Sequence, residues 1–570
     1  DGVFCNGSEL CINGACEDHA GDPCYDDGVW CNGEESCEEA IDQCVHQYDN
    51  DNPRCPDDEL YCTGLESCDE ENDQCVHSGD PCQADELCVE DGDDCLPACF
   101  RDVDFDGFGD SEMAIPRDTN CPSGWIDNHE DCADTDPISY PAAPELPDDG
   151  IDQNCDGEDF LMSDDTGIFV APSGNDDNPG TMAEPLATLY KAQQIAFEQE
   201  KAVFVAAGAY TDTILGRISF FGGYEAVNWT RNIAANETIV ANDSYTGVII
   251  SYEATAVAIQ GFTIVNVNPM DNLTSGVYVS AGHNATIADN VIQPTNSLAS
   301  SLVVGAMVYG NAKFIDNVIE PGDSDEDTYG AYMRTDGQGY FEGNTIVAGD
   351  AGRYSRGIDC YDGGVAIARN NEIYAATAGD YSSGVMAWAD SAAILINNYI
   401  YGGNSTLPKA VDGYGGSVTV INNVIDGGVA SDRSFGINFS SQGHGLLVNN
   451  IISGGSATQY SIGVRAIEGR VMLYNNDIYG DTTTYLVNAS NSLADINDCA
   501  FTGCIEAGGN ISEDPQFDID GIHLTGESPC LDVGMDPLAL YGGFGALWDI
   551  DGEARPYGNG WDIGADEVIP

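Results

Sequence analysis

Basic side chains are scarce in this chain of 570 residues: 17 Lys and Arg stand against 97 Asp and Glu, a formal net charge of −80. Four of them are lysines, Lys191, Lys201, Lys313 and Lys409. So acidic a surface repels phosphate backbones and anionic lipid, which excludes nucleic acid and acidic membranes as partners. It also repels itself unless cations or salt screen it, and this points to a divalent metal or a saline setting. A long apolar run is missing as well, so no membrane-spanning helix is expected. The Cys-x2-Cys knuckle of zinc sites is also missing.

Cysteine itself is plentiful. Of 22 cysteines, fifteen precede residue 100. Cys24, Cys31, Cys37 and Cys44 are followed by Cys55, Cys62, Cys68 and Cys75 at the same gaps, thirty-one residues later. Cys82, Cys88 and Cys95 begin a third copy that lacks one member, and Cys5, Cys11 and Cys16 end an earlier one. The residues between are Asp, Glu, Gly and Asn, too polar for a core, so disulfides must hold each unit, with their connectivity left open by the spacing. This usage belongs to an oxidising compartment, and the chain reads as extracellular or cell-surface. The chain opens inside a repeat, as a processed or partial chain would. Residues 1–98 resemble the cysteine-rich repeats of large secreted deltaproteobacterial proteins, which implies a stalk.

Residues 99–160 carry three acidic clusters. Asp102, Asp104 and Asp106 alternate before Gly107; Asp131, Asp134 and Asp136 follow; then come Asp152, Asn154 and Asp156 within Gly-Ile-Asp-Gln-Asn-Cys-Asp-Gly. A hard cation such as Ca2+ takes six to eight oxygens, and an Asp-x-Asp-x-Asp-Gly loop supplies several by curling around it. With Pro141-Ala-Ala-Pro-Glu145, these segments resemble a secreted bacterial metal-binding module, although the cysteine usual after the glutamate is missing. The resemblance implies a bound metal. Calcium is the expected ion because no sulfur or imidazole cluster favours a softer one.

The longest signal is a repeat. Asn290, Asn317, Asn344, Asn371, Asn398, Asn423, Asn450 and Asn476 each precede a short apolar pair at intervals of 25 to 27 residues. Repeats of this length, rich in β-branched residues and glycine, read as turns of a β-solenoid, with the asparagines stacked as a structural ladder. A second marker, glycine before an apolar strand, recurs at Gly276, Gly305, Gly330, Gly357, Gly384, Gly436 and Gly463. Alternation sends Ile358 and Cys360 inward. It sends Tyr309, Tyr332, Arg334, Asp359, Tyr361, Met386 and Trp388 outward, and these form the candidate binding face. Exposed aromatics in a row suit sugar rings or another protein.

Upstream, Pro185–Phe197 has the apolar period of a short helix that would cap the first coil. With Phe204-Val-Ala-Ala-Gly-Ala-Tyr210, and with Ser528-Pro-Cys-Leu-Asp-Val-Gly534 and Asp562-Ile-Gly-Ala-Asp-Glu567 near the end, residues 161–570 resemble secreted right-handed parallel β-helix proteins of the pectin-lyase-like fold. The expected architecture is all-β. It comprises a stalk (1–98), a calcium module (99–160), a right-handed parallel β-helix of about twelve coils with an N-terminal capping helix (161–535) and a C-terminal cap (536–570).

Such helices include polysaccharide lyases and hydrolases. Gly443-His444-Gly445 is similar to the Gly-His-Gly of polygalacturonases, but the other motifs of that family are missing. Asp359, Asp362, Arg353 and Arg356 form the densest charged cluster, which ion pairing explains equally well. The expected function is therefore a secreted, calcium-stabilised structural or adhesive protein that binds a glycan or protein, or self-associates into a filament, and does no catalysis. A polysaccharide lyase or hydrolase is the alternative.

Overall fold

The computed structural model describes residues 9–12, 15–19, 24, 29–38, 40–47, 55, 58, 60–83, 85–90, 94–117, 120–122, 124–242, 246–250, 256–266, 273–295, 302–480, 484–488, 490–537 and 548–569. They fall into two compact units, residues 1–102 with 107–130, and residues 103–106 with 131–570.

In the first unit, each of the two complete cysteine repeats is a three-residue 3-10 turn followed by a β-hairpin. Trp30–Asn32 precedes the hairpin of Glu35–Glu38 and Gln43–His46, and Tyr61–Thr63 precedes that of Glu66–Asp69 and Gln74–His77. Two kinds of disulfide hold them. One closes a repeat from its first cysteine to its last, as in Cys24–Cys44, Cys55–Cys75 and Cys82–Cys95. The other joins the second cysteine of one repeat to the hairpin cysteine of the next, as in Cys31–Cys68 and Cys62–Cys88. Cys88 pairs in register with Cys95 as Cys68 does with Cys75, so the member missing from the third copy is the one that would reach forward. A glutamate from the following repeat caps each 3-10 turn: Glu70 accepts from the Cys31 amide at 2.6 Å, and Glu90 from the Tyr61 amide at 2.7 Å.

The second unit is a parallel β-helix built of three sheets with 13, 11 and 11 strands, beside the roughly twelve coils expected. The first sheet runs from Gly167–Val170 to Cys504–Gly508, the second from Gly208–Tyr210 to Asp477–Tyr479, and the third from Ile214–Leu215 to Thr484–Val487. Inward side chains of all three make one apolar column that includes Val277, Ala331, Ile358, Cys360, Val385, Ile437 and Val464. The helix Leu189–Gln199 closes its N-terminal end by burying Leu189, Ala192 and Ala196. Thr188 caps the helix by accepting the Lys191 amide at 3.2 Å.

The asparagines stack where the first sheet turns into the second, and all eight are buried. Asn344 is typical: its Nδ2 donates to Asn371 Oδ1 at 2.9 Å and to the Phe314 carbonyl at 2.7 Å, while its amide donates to Asn371 Oδ1 at 2.8 Å. The residue before each ladder asparagine has positive φ: Asp289, Asp316, Gly343, Asn370, Asn397, Asn422, Asn449 and Asn475. Asn, Asp and Gly are the residues that tolerate this left-handed turn. The column continues through Asn510, which accepts from the Asn476 side chain at 3.0 Å. Asn510-Ile511 carries the same asparagine-plus-apolar signature, off the 27-residue period.

Segments of the same unit cover the outer sides of the first and second sheets. Ile138 and Leu146 pack with Phe169, Phe204 and Ala258, and Lys313 reaches the Pro137 carbonyl and the Tyr140 ring. Farther along, Trp561 packs on Ile396, Ile421 and Val448, while Leu524, Cys530 and Ile563 pack on Val424 and Ile451. The turn asparagines hold this tail, since Asn449 exchanges two hydrogen bonds with the Met535 backbone at 2.7 and 2.9 Å.

Candidate functional site

Nine residues of the acidic clusters were candidate metal ligands, and the structure treats them differently. The loop 102–106 gathers carboxylate oxygens of Asp102, Asp104 and Asp106 within 4.8 Å of one another, with Asp104 fully buried. Three anionic oxygens this close suit a hard cation, which would remove their mutual repulsion. Asp134 accepts the Val103 amide at 3.0 Å, Asp131 the Ala133 amide at 2.8 Å, and Asp136 the Ser139 hydroxyl at 2.6 Å. Asp152, Asn154 and Asp156 accept amides of their own turn, with Gly157 donating to Asp152 at 2.6 Å.

The outward positions of the third sheet fall into columns fixed by its register. One column runs Tyr332, Asp359, Met386, Asp412, Asn438, Arg465; a second runs Tyr329, Arg356, Ser383, Lys409, Phe435; a third runs Arg334, Tyr361, Trp388, Tyr414, Ser440. Tyr309 packs on Tyr278 with ring centroids 5.6 Å apart. Arg334 sits over the rings of Tyr332 and Tyr361. Trp388 is flanked edge-on by Tyr361 and Tyr414, at 5.8 and 5.4 Å. Tyr361 and Tyr414 are exposed, whereas Tyr332 and Trp388 are half-buried.

Asp359 differs from the expectation. It projects away from the apolar column but is only 1% exposed, beneath Arg356, with which it forms an ion pair, and Trp388, whose Nε1 donates to it at 3.0 Å. Burial raises its pKa, and the guanidinium and indole partly offset that rise. Met386 is likewise buried, at 4% exposure. Both residues support the face from below and leave the contact surface to their neighbours.

Beyond Trp388 the columns open into a groove of about 420 Å³ lined by Tyr354, Tyr381, Trp388, Tyr414 and Phe435, by Arg356, Lys409, Arg433 and Arg465, and by Asp412 and Asn438. Four of the chain's 17 basic residues meet here. Lys409 pairs with Asp412, and Arg433 with Asp432 at 3.1 Å. Arg465 donates to the Asn438 side-chain oxygen at 2.6 Å, Asn438 in turn donates to Asp412 at 2.6 Å, and among the described residues Arg465 has no carboxylate partner. Sequence reasoning passed over this rung because its strand has Ala410 where the marker glycine stands elsewhere. The register Ser383↔Lys409 places it.

His444 begins a strand and is exposed, with Ser417 and Arg470 as its register neighbours. Cys360 and Cys530 are free and buried. Cys530 lies 3.4 Å from Asp477, a buried carboxyl pushed up to about 6, chiefly by desolvation. Among the described residues no helix is long and apolar enough to cross a membrane. The disulfides fit an oxidising, extracytoplasmic setting.

Residues 131–159 match the family described as "Putative metal-binding motif". No curated protein matches the chain. Among solved structures, it is similar to a pectate lyase (16% identity over 72% of this chain and 98% of that one, TM-score 0.36). It is also similar to XylC in complex with xylose (11%, 71% and 98%, TM-score 0.43), and to a GH136 lacto-N-biosidase from Eubacterium ramulus (9%, 61% and 68%, TM-score 0.29). Identities this low carry no information on ligand or activity.

Proposed function

We propose that this chain is a secreted, metal-stabilised binding protein whose β-helix presents the groove around Trp388 and Arg465 to a glycan bearing carboxylate or sulfate groups. The observation that carries the reading is the convergence of four cations and five aromatic rings in one groove of a protein with net charge −80. Flat aromatic faces suit the apolar faces of sugar rings. Guanidinium groups with unused donors suit planar or tetrahedral anions. Elsewhere the acidic surface repels such a ligand, so the groove is where one can dock. Calcium, held by the Asp102–Asp106 loop, would act by offsetting carboxylate repulsion. The reading is a binding role, adhesive or structural, without catalysis.

The test is a panel of neutral, uronate-bearing and sulfated oligosaccharides, with binding measured calorimetrically and product absorbance followed in the near ultraviolet. Binding confined to acidic members, weakened at least tenfold in both Arg465→Gln and Trp388→Ala, is the expected result. Equal binding of neutral members, or full affinity in both variants, sinks the proposal. Unsaturated product accumulating with time would make the same groove a lyase site.

A further inference from the structure

With every cysteine of the complete repeats committed to disulfides, metal chemistry in the first unit passes to its histidines. His46 and His77 occupy the same place in successive repeats, two residues after the last cysteine. Each lies directly across its hairpin from a glutamate, in the register pairs Glu35↔His46 and Glu66↔His77. The imidazole Nδ1 is 3.2 Å from Glu35 Oε1 in one repeat and 3.0 Å from Glu66 Oε1 in the next. The histidines are half-exposed, but the glutamate side chains are only 5% and 6% exposed. A buried carboxylate requires partners, yet among the described residues neither oxygen of Glu35 has a hydrogen bond, nor has Oε2 of Glu66.

In the second repeat a further carboxylate joins the pair. Single ligand atoms of Asp58, Glu66 and His77 lie within 4.8 Å of one another. Asp58 is oriented by the Leu60 amide, which donates to Oδ1 at 2.9 Å, and by the Thr63 hydroxyl at 3.2 Å. Asp27 stands at the matching offset of the first repeat, Cys-x-Asp-Asp in both, and lies outside the described residues. The third repeat is an internal contrast. Pro97 replaces the histidine opposite Glu86, and there the glutamate turns to a backbone amide instead, accepting from Gln83 at 3.2 Å. The glutamate thus stays without a hydrogen-bonded amide only where a histidine faces it.

We infer that each histidine-bearing repeat holds a divalent transition ion, of the zinc class, between its histidine and its buried glutamate, with the aspartate of Cys-x-Asp-Asp as a third ligand in the repeat of His77. One imidazole nitrogen and two carboxylate oxygens form a borderline donor set that suits Zn2+ better than Ca2+, which prefers oxygens alone. The ion would tie the hairpin to the loop after the first cysteine of the repeat. The site is independent of the acidic loop at 102–106 and of the groove on the β-helix.

The experiment is calorimetric titration of the full chain with Zn2+ in excess Ca2+, so that all-oxygen sites are already filled. His77→Gln loses one zinc equivalent and the double variant His46→Gln, His77→Gln loses two, with disulfide mapping and near-ultraviolet circular dichroism unchanged. In the unaltered protein, the ring resonances of His46 and His77 move on zinc addition. A parent that takes up no zinc beside saturating Ca2+, a double variant that loses fewer than two equivalents, or stationary ring resonances overturns the inference. The resonances decide the matter even if the variants fold poorly.

Discussion

Asp477 shows how one side chain can carry a pH dependence for a solenoid of hundreds of residues. Desolvation pushes its carboxyl up from 3.8 to about 6, against the relief given by the Glu513 amide and the Cys530 thiol. The folded state therefore holds this proton more tightly than the unfolded chain. Its contribution to stability is full below about pH 3.8 and is lost as pH rises through about 6. That displacement is worth at most ~3 kcal/mol. Asp477→Asn, which keeps the size and one acceptor oxygen for the Glu513 amide and, like the protonated carboxyl, places a donor beside Cys530, should raise the melting temperature at pH 8 and leave it nearly unchanged at pH 4. Melts across that range check it, and parallel curves for the two proteins would contradict the assignment. Nothing in the sequence singled this residue out, because its burial depends on the tertiary fold, in which Cys530, fifty-three residues away, lies 3.4 Å from it.

Among the elements, the asparagine ladder was the most legible and the third sheet the least. Period and residue type announced the ladder, since a buried amide that repeats every rung must satisfy itself on its neighbours. The left-handed turn before each asparagine was legible too, as Asp, Gly or Asn at every preceding position, but it drew notice only once φ was known. Asn371 donates to three acceptors and accepts from the amide and side chain of Asn344. Asn371→Ala should therefore cost about 2–4 kcal/mol, several bonds left unpaired in a dry site. Urea denaturation would measure it, and a loss below about 0.5 kcal/mol would show that the turn holds without its amide. On the third sheet, alternation sends Asp359 away from the apolar column. It did not give its burial, which comes from Arg356 and Trp388 lying across it. The rung of Lys409 was lost to a marker glycine replaced by alanine. Alternation says which way a side chain leaves its strand and is silent on what folds over it.

At the scale of the molecule, the cysteine repeats and the β-helix were readable from cysteine spacing and the 27-residue period, whereas the two compact units share the acidic stretch 99–160 between them. The way the segments are secured was not readable, because disulfide partners and the return of the tail over the first and second sheets depend on contacts far apart in sequence. Calcium should matter most where acidic loops pack on other elements. Thermal melts with and without a chelator selective for Ca2+ should separate by at least several degrees, with the loss restored by Ca2+ and not by Mg2+. Coincident melts would remove calcium from the account of stability.

The forward-reaching disulfides of the first unit also have a mechanical meaning. Between Cys24 and Cys95 the chain is 71 residues long and would extend to roughly 240 Å if pulled straight. The shortest covalent route instead steps from Cys31 to Cys68 and from Cys62 to Cys88, crossing only about 20 residues and roughly 70 Å. Tension applied across the cysteine repeats would thus be carried by sulfur bridges that skip most of each complete repeat. Such a tether yields little length under load while its bridges are closed, and reduction turns it into a long, compliant one.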